Sequence, residues 1–486
     1  MDVTVAPAQE SASIRAWLER GAARHPDKIF VRSLDQGTSI TYAEALRLIR
    51  RLGHFLKARG IGANDRVALL AGNCLEHLMI YFGVMFHGAT VCTIHVEMNA
   101  PIIDELVKAL EPKLVLREVE LADFLSGLAR ESEAPLPAVN GPDDVASIFY
   151  TSGTTETPKG VVCSFRDLET NVANVTGTFA IGEDDVVLDY RSFNWMSAQT
   201  LSALGALSAG ASLVVAQKFS RSRFFDWIRE TRASVVAGNP TVINMLNSEP
   251  ATVHARELPH LRYITSSSAP LLAPDWKNFE ARYGILIMQG YGSSESGWIA
   301  ASNESARRLG SVGRPFAYHQ LRIVDAQGRA LPAGEIGLIE LGAPPHDTYR
   351  YLLPDGRITV HAQGRYRTGD LGYLDADGFL FVTGREKDLI IRGGVNISPV
   401  EVDNVLNQMP EIAEAASAGV PDPIYGEEVA AFVVLRAGES LSENAILAFC
   451  RERLAQPKTP KRVIFCAALP KTERGKLDRK ALTANA

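Results

Sequence analysis

The stretch YTSGTTETPKGV, Tyr150–Val161, combines four threonines, one serine, two glycines and one lysine with few large apolar side chains that could form a core. Glycine reaches backbone angles closed to other residues, so a loop containing Gly153 and Gly160 can direct its N–H groups at an anion. The hydroxyl groups and the Lys159 ammonium add donors, and together they predict a phosphate-binding loop. A solvated turn is the alternative, but the stretch follows the strand-like run VASIFYT and ends on Pro-Lys-Gly. It is not a Walker A loop, because Lys159 lies between Pro158 and Gly160.

Around this loop, short apolar runs alternate with segments of helix length. This alternation is typical of buried parallel strands joined by helical crossovers, so residues 1 to about 300 are predicted to form an α/β domain. A helix is expected from Thr41, because Thr41 and Glu44 have capping-box spacing and the apolar residues that follow share one helical face. The runs are RVALLA (66–71), VVLDY (186–190), ASLVVA (211–216), ASVVAG (233–238) and ILIMQG (285–290).

The pattern changes twice toward the C-terminus. From 310 to 380 it becomes rich in turns and alternates between apolar and polar residues, which predicts a smaller antiparallel or β-barrel-like piece. Beyond it we expect a compact α+β domain, with a helix that has Ser398 as N-cap, Pro399 at its first position and Glu401 completing a capping box. The predicted domains are residues 1–386 and residues 387–486.

Composition narrows the functional classes. The 486 residues, 46% of them hydrophobic, can form about three domain-sized units with a large core. A net charge of −6 argues against a nucleic-acid-binding protein, whose domain would be strongly basic, and favours small-molecule substrates. Five cysteines without CxxC spacing predict neither a disulfide framework nor a zinc site, and fit a reducing cytoplasm. We expect no export signal and no membrane span.

The loop and five later motifs resemble those of the adenylate-forming superfamily, which includes acyl-CoA synthetases, non-ribosomal peptide adenylation domains and firefly-type luciferases. The motifs stand in the family's order, and the resemblance covers nearly the whole chain. It implies a large N-terminal domain and a small mobile C-terminal domain that meet at the predicted boundary. The later motifs are QGYGSSES (289–296), GSVGRP (310–315), GRYRTGD (364–370), GREKDLIIRGGVNISPVEV (384–402) and PKTERGKLDRKAL (470–482).

The resemblance implies a two-step reaction that uses ATP, Mg²⁺ and coenzyme A. A carboxylate attacks the α-phosphate of ATP to give an acyl-adenylate and pyrophosphate, and a thiol then displaces AMP. Lys476 matches the family's catalytic lysine, whose ammonium can stabilise charge between carboxylate and α-phosphate. It lies in a basic run, 458–480, that alone would indicate only a solvated face; other basic residues of the run could meet the phosphates of CoA. Lys387 matches the hinge about which the C-terminal domain rotates between the steps.

The remaining motif positions imply contacts with nucleotide, metal and CoA. The loop would hold the β- and γ-phosphates, Glu295 matches the magnesium ligand, and Ser294 stands where threonine is usual. Asp370 and Arg385 match residues that bind the ribose hydroxyls, and Tyr291 would stack near the adenine. A solvated loop acid is the alternative for Glu295, and an Asx-turn for Asp370. The implied nucleotide and CoA contacts are Thr151, Ser152, Gly153, Thr154, Thr155, Lys159, Tyr291, Gly292, Asp370, Arg385, Gly393 and Gly394.

The phosphate loop and the acyl pocket depart from the family pattern. Glu156 stands where glycine is usual, and a carboxylate beside a triphosphate is expected to point to water. Asn194 replaces a frequent histidine, and the indole of Trp195 either packs on a short acyl chain or belongs to the core. Arg191 either contacts a polar substrate or faces solvent. The expected pocket residues are Asn194, Trp195, Ser267, Gly290 and Gly292.

Gly292 lies where acetate-specific relatives of the family carry a tryptophan. This implies a pocket deeper than acetate needs, and a short- to medium-chain or substituted acid is favoured as substrate. The paired glycines Gly393 and Gly394 resemble the form found in CoA ligases, where the backbone approaches a pantetheine arm. An enzyme that loads the acyl group onto a carrier protein is the alternative, and a nucleotide-binding protein without catalysis is a further one. The sequence does not indicate an oligomeric state.

Overall fold

The computed structural model describes residues 13–150, 159–248, 251–342, 348–362, 364–471 and 477–483. Its strands are β1 (Ile29–Ser33), β2 (Thr38–Thr41), β3 (Arg66–Leu70), β4 (Thr90–Ile94), β5 (Leu114–Arg117), β6 (Val145–Tyr150), β7 (Gly160–Ser164), β8 (Val186–Asp189), β9 (Ser212–Val215), β10 (Val235–Val236), β11 (Tyr263–Ser266), β12 (Leu286–Ser293), β13 (Gly297–Ala301), β14 (Arg314–Pro315), β15 (Arg322–Val324), β16 (Gly337–Gly342), β17 (Thr348–Leu352), β18 (Ile358–Ala362), β19 (Arg365–Leu374), β20 (Leu380–Arg385), β21 (Ile390–Arg392), β22 (Val395–Ile397), β23 (Ile412–Asp422), β24 (Gly426–Leu435) and β25 (Arg462–Phe465). Its α-helices are α1 (Ile14–Arg24), α2 (Tyr42–Ala58), α3 (Leu75–His87), α4 (Ala100–Leu110), α5 (Leu121–Gly127), α6 (Phe165–Thr178), α7 (Met196–Ala198), α8 (Leu204–Ala209), α9 (Phe224–Thr231), α10 (Pro240–Ser248), α11 (Ala273–Tyr283), α12 (Pro399–Leu406), α13 (Glu443–Arg451) and α14 (Arg479–Thr483).

Two large sheets form the N-terminal part, as the alternating pattern predicts. Over the described residues, one sheet has the order β14-β13-β12-β11-β10-β8-β9-β1-β2 and the other the order β18-β17-β7-β6-β4-β3-β5. All five apolar runs become strands, and each pairs in parallel with a neighbour. The capping box at the start of α2 is also present, since Thr41 and Glu44 each accept a backbone N–H of the other. The prediction of an α/β fold is therefore confirmed.

The stretch 310–380 is divided among three sheets, and its first strand, β14, lies at the edge of the nine-stranded sheet. Strands β15, β16, β19 and β20 form an antiparallel sheet in the order β15-β16-β19-β20. Of the antiparallel and the barrel-like forms that the alternating pattern predicts, the structure has the antiparallel one. The hairpin β17–β18 leaves this unit, because β17 pairs with β7 of the seven-stranded sheet through Arg350 and Val162. The chain between 310 and 380 therefore also supplies the neighbour of β7, the strand that follows the predicted phosphate loop in sequence.

The C-terminal part has its own sheet and its own core. Strands β21 to β25 form this sheet, and α12 and α13 pack on it. Ser398 is the N-cap of α12 as expected, but the predicted capping box is wrong. The Ser398 hydroxyl instead donates to the carbonyl of Thr383, and the Glu401 carboxylate accepts from Lys458 Nζ at 2.8 Å.

The carboxyl ends of the strands in the two large sheets meet at one crevice. Asn73 follows β3 and donates through Nδ2 to the carbonyls of Arg191, after β8, at 2.7 Å and Ala216, after β9, at 3.1 Å. Asn194, which follows β8, donates through Nδ2 to the carbonyl of Ala71, which follows β3, at 3.0 Å. Crevices outside the carboxyl ends of parallel strands are where open α/β sheets bind ligands. None of the helices in the described part of the chain combines the length and apolarity needed to cross a bilayer.

Candidate active site

Three residues from separate motifs form one hydrogen-bonded cluster. Asp370 on β19 is 6% exposed and is the register partner of Arg385 on β20. The Arg385 Nε is 2.9 Å from one carboxylate oxygen of Asp370, and the Tyr291 hydroxyl donates to the other at 2.6 Å. Burial, and then the Asp370 carboxylate, raise the pKa of Tyr291, so its hydroxyl remains a donor. A carboxylate accepts about four hydrogen bonds, so each oxygen of Asp370 keeps room for another donor.

The predicted phosphate loop connects two neighbouring antiparallel strands. Tyr150, the last residue of β6, pairs with Gly160, the first residue of β7, and Lys159 next to it is exposed. The loop's entry and exit are thus fixed by the seven-stranded sheet. Of the predicted loop contacts, Thr151, Ser152, Gly153, Thr154 and Thr155 lie outside the described residues, and so do Glu156 and the predicted catalytic Lys476.

Glu295 and Ser294 lie half-buried on the turn between β12 and β13. A cleft beside this turn is lined by Glu295, Ser296 and Met196, by β7, and by Arg350 of β17. Burial, and then the Glu295 carboxylate, raise the pKa of Tyr351 and of Tyr366. The carboxylate therefore lies next to β17 and β19, and it lines the cleft together with β7, which follows the predicted phosphate loop in sequence.

This arrangement fits a magnesium ion that is bound mainly by substrate. Among the described residues, no group of three or more His, Cys, Asp or Glu side chains could hold a metal. Mg²⁺ is usually bound by one or two carboxylates together with substrate phosphates and water, and Glu295 offers one carboxylate in the cleft that β7 lines.

Four of the five predicted pocket residues lie in or after strands of the nine-stranded sheet: Asn194 after β8, Ser267 after β11, and Gly290 and Gly292 within β12. Asn194 is 6% exposed, and its Oδ1 has no hydrogen-bond partner within the described structure. Ser267, directly after β11, is 3% exposed and its hydroxyl is likewise unpartnered among the described residues. A Cβ at Gly292 would lie 2.2 Å from the carbonyl oxygen of Gly297, and one at Gly290 would lie 2.2 Å from the ring of Trp298. Close packing of the β12–β13 hairpin therefore requires both glycines.

The fifth, Trp195, is half-buried and precedes α7. Arg191 in the same stretch does not face solvent, so that alternative is wrong. Its side chain is 1% exposed and its Nη2 lies 2.8 Å from the Asp189 carboxylate, which also accepts from the Ser202 hydroxyl at 2.6 Å. The guanidinium charge is thus neutralised locally, as a buried ion requires.

The C-terminal candidates occupy turns. Gly393 and Gly394 form the two-residue turn between β21 and β22, with φ values of +55° and +85°. Such a turn needs positive φ at both positions, which explains both glycines locally. Lys387 is exposed within the short 3₁₀ turn Glu386–Asp388 that follows β20.

Much of the C-terminal basic run is engaged in ion pairs within the domain. Arg479 pairs with the buried Asp403 and donates to the carbonyl of Ser417 at 2.6 Å. Lys471 Nζ is 2.8 Å from a Glu414 carboxylate oxygen. These two cations stabilise the domain, so fewer basic side chains of the run remain for the phosphates of CoA.

Sequence reasoning missed the contribution of β17. Its Arg350 lines the cleft, and its Tyr351 lies close enough to Glu295 for the carboxylate to raise its pKa. The stretch DTYRYLLPDGR (347–357) matches no family motif, and the pairing of β17 with β7 joins residues far apart in sequence. The high content of aromatic and β-branched residues predicts a strand there, but not its partner.

Comparisons with known proteins agree with this geometry. Residues 18–345 match the family model described as AMP-binding enzyme, and residues 401–476 match its C-terminal domain. The sulfoacetate–CoA ligase of Cupriavidus necator is 34% identical to this chain, and the alignment covers 98% of each of the two chains. The oxalate–CoA ligase of Arabidopsis thaliana is 31% identical, and that alignment covers 97% of this chain and 98% of the relative. The crystal structure of ATP-bound MatB from Rhodopseudomonas palustris superposes with a TM-score of 0.86 at 27% identity, covering 97% of this chain and 99% of that one. The chain therefore belongs to the AMP-binding enzyme family, within the adenylate-forming superfamily that its motifs resemble.

Proposed function

We propose that the protein is an ATP-dependent ligase that joins a small carboxylic acid to coenzyme A. A carboxylate oxygen attacks the α-phosphorus of ATP, the bond to the β-phosphate breaks, and pyrophosphate leaves. The CoA thiolate then attacks the acyl carbonyl and the bond to the adenylate oxygen breaks, which releases AMP and the thioester. Relatives over nearly the full length act as CoA ligases on small acids, which supports CoA as the acceptor.

The cluster of Tyr291, Asp370 and Arg385 is the observation that carries this proposal. A buried carboxylate held by two donors is costly unless its remaining lone pairs are also used. The 2′- and 3′-hydroxyl groups of a ribose are two adjacent donors, and each can take one free position on Asp370. Tyr291 stays in place through its bond to the same carboxylate, and its ring is then available to the adenine.

The other groups have roles that the two steps require. Lys159 and the loop before it would hold the leaving pyrophosphate, and Glu295 with Ser294 would bind Mg²⁺, which neutralises phosphate charge when present. Lys476 would stabilise the charge that develops as carboxylate and α-phosphate join. Gly393 and Gly394, as a tight turn, would allow the backbone to approach the pantetheine arm.

Pyrophosphate release over a panel of carboxylic acids, with and without CoA, tests the proposal. We expect release that depends on the acid, and with CoA present an equal amount of AMP and of a thioester detectable by mass spectrometry. Acid-dependent release of about one equivalent that CoA does not accelerate would instead support transfer to a carrier protein. Formation of ADP, or no acid-dependent release with any acid, would contradict adenylation.

A further inference from the structure

The two segments that flank the stretch ending at Lys476 are paired with each other. Lys471 and Leu477 form an antiparallel β-bridge, and the Asp478 N–H donates to the carbonyl of Pro470 at 2.9 Å. Lys476 itself lies outside the described residues. The points where the chain enters and leaves this stretch are therefore held side by side.

Arg479, three residues after Lys476, binds a buried carboxylate. Its Nη2 is 2.5 Å from Oδ2 of Asp403, which is only 4% exposed, and its Nη1 donates to the carbonyl of Ser417 at 2.6 Å. Asp403 lies in α12 and Ser417 in β23, so one guanidinium holds two elements together. A lysine cannot reproduce this fork of donors, because its charge is a single ammonium group.

The Asp403 carboxylate is fixed on its other side as well. Its Oδ1 accepts from the Ser417 N–H at 2.6 Å and from the Ser417 hydroxyl at 2.8 Å. Separating the ion pair would leave a buried charge without a partner, which is strongly unfavourable. The Lys471–Glu414 pair before the stretch is about 40% exposed on both sides, and such pairs contribute little. The firm side-chain anchor of the stretch is therefore at its exit.

We propose, building on the function above, that Arg479 and Asp403 are positioning residues that hold Lys476 for the adenylation step. An extended chain spans about 3.5 Å per residue, so the Lys476 Cα stays within about 10 Å of the Arg479 Cα. The ion pair thus ties the backbone of the proposed catalytic lysine to the core of its domain. Precision matters here, because a misplacement of about 1 Å can cost about a hundredfold in rate.

The two half-reactions separate positioning from stability, because both need a folded C-terminal domain but only adenylation needs Lys476. In Arg479→Gln, the single-turnover rate of acyl-adenylate formation should fall at least about tenfold. The ATP concentration that gives half this rate should change less than about threefold, since Lys476 acts on charge that develops in the transition state. With synthetic acyl-adenylate and CoA, thioester formation should remain near the wild-type rate. Asp403→Asn should repeat this pattern.

Arg479→Lys is the conservative variant, and it continues the test if Arg479→Gln fails to fold. Its ammonium can still bind Asp403 but cannot also donate along the fork to the carbonyl of Ser417. The rate of adenylate formation should therefore lie between those of the wild type and Arg479→Gln. Thermal unfolding midpoints of all variants, measured alongside, show which of them are folded at the assay temperature.

Trypsin cleavage provides a measurement that needs no activity. Arg474 and Lys476 are cleavage sites within the stretch, and the peptides released from the folded protein are identified by mass spectrometry. Loss of the anchor should raise the cleavage rate at these sites at least about fivefold in Arg479→Gln, because local opening becomes easier. Arg479→Lys should again be intermediate.

Arg392→Gln is the matched control. Arg392 Nε lies 2.6 Å from a Glu428 carboxylate that is as buried as that of Asp403, in the same domain. This variant should leave both adenylate formation and cleavage within 472–476 nearly unchanged.

Three results would overturn the proposal. Equal loss of both half-reactions in a folded Arg479 variant would make the ion pair purely structural, and unchanged adenylation would remove it from the reaction. Loss of thioester formation alone would assign Arg479 to the phosphates of CoA instead. If the wild type adenylates no acid but cleavage rises as expected, the anchoring of the stretch stands and the proposed ligase function does not.

Discussion

At the scale of single residues, Asp370 is the group whose environment most constrains its role. Its carboxylate is buried and shared between Tyr291 and Arg385, so it is oriented before any ligand arrives. Oriented groups lose little entropy on binding, which makes them effective contacts. The sequence motifs predicted that all three residues serve the nucleotide, and the structure places them in contact, although their function there is still a proposal.

Asp370→Asn tests this role. The change removes the charge but keeps the size, and we expect kcat/KM for ATP in pyrophosphate release to fall roughly tenfold to a hundredfold, the scale of charged hydrogen bonds. Tyr291→Phe should cost less, since it removes one bond and keeps the ring.

The matched control is Asp375→Asn, because Asp375 lies in the turn of the same β19–β20 hairpin and pairs with Arg308, which lies outside it. It should leave kcat/KM for ATP nearly unchanged. Equal losses in Asp370→Asn and Asp375→Asn would show that the hairpin needs these charges for stability and that Asp370 does not bind the ribose.

At the scale of secondary-structure elements, local sequence patterns predicted the helices and strands well, but contacts between residues far apart in sequence were not predicted. The parallel strands and the capping box of α2 follow from patterns within a few residues. The expected capping box at Ser398 failed because Glu401 binds Lys458, which is 57 residues away. In the candidate site, motif spacing indicated Gly290, but nothing in the sequence shows that the indole of Trp298 lies on it.

Helix α1 is joined to α6 through a carboxyl group with a raised pKa. The Ile14 N–H donates to Glu169 Oε1 at 3.0 Å, and burial raises the Glu169 pKa from 4.5 to about 7 despite this bond and the nearby Arg166 charge. The folded protein thus holds this proton more tightly than the unfolded chain does. The resulting stability is present below about pH 4.5 and is lost as pH rises through about 7.

Glu169→Gln should abolish this loss, because its amide oxygen still accepts from Ile14 and never ionises. The thermal unfolding midpoint of the variant, relative to wild type, should rise between about pH 5 and pH 8, by an amount worth at most about 3 kcal/mol. Glu44→Gln is the control: hydrogen bonds from Thr41 lower the Glu44 pKa, so its effect should be constant over this range. A Glu169→Gln effect that does not change with pH would contradict the argument.

The turn Glu386–Asp388 is the element proposed to act as hinge. Leu389 N–H closes it by donating to the carbonyl of Glu386 at 3.4 Å, so the bond does not involve the N–H of Lys387. Lys387→Pro therefore locks φ without removing this bond. We expect adenylate formation to be retained and thioester formation to be lost, with Lys387→Ala retaining both. Equal loss of both steps in the proline variant would exclude the hinge role.

At the scale of the whole molecule, the proposed mechanism has two half-reactions that use one crevice and need different groups around it. It requires Lys476 only while carboxylate and α-phosphate are joined. We expect Lys476→Ala to lower adenylation by roughly a hundredfold or more, the scale of one oriented electrostatic contact. With synthetic acyl-adenylate and CoA, the same variant should form thioester at nearly the wild-type rate. Loss of both steps in a folded variant would make Lys476 a structural residue.

The central claim, activation of the acid through an adenylate, predicts the fate of the carboxylate oxygens. The enzyme is incubated with ATP, CoA and a short acid labelled with ¹⁸O in its carboxylate, and the products are analysed by mass spectrometry. The oxygen that attacks the α-phosphorus stays on AMP when the thiolate breaks the bond to the acyl carbon. One ¹⁸O in AMP and none in pyrophosphate is the predicted result, whereas label in inorganic phosphate together with ADP would contradict the account.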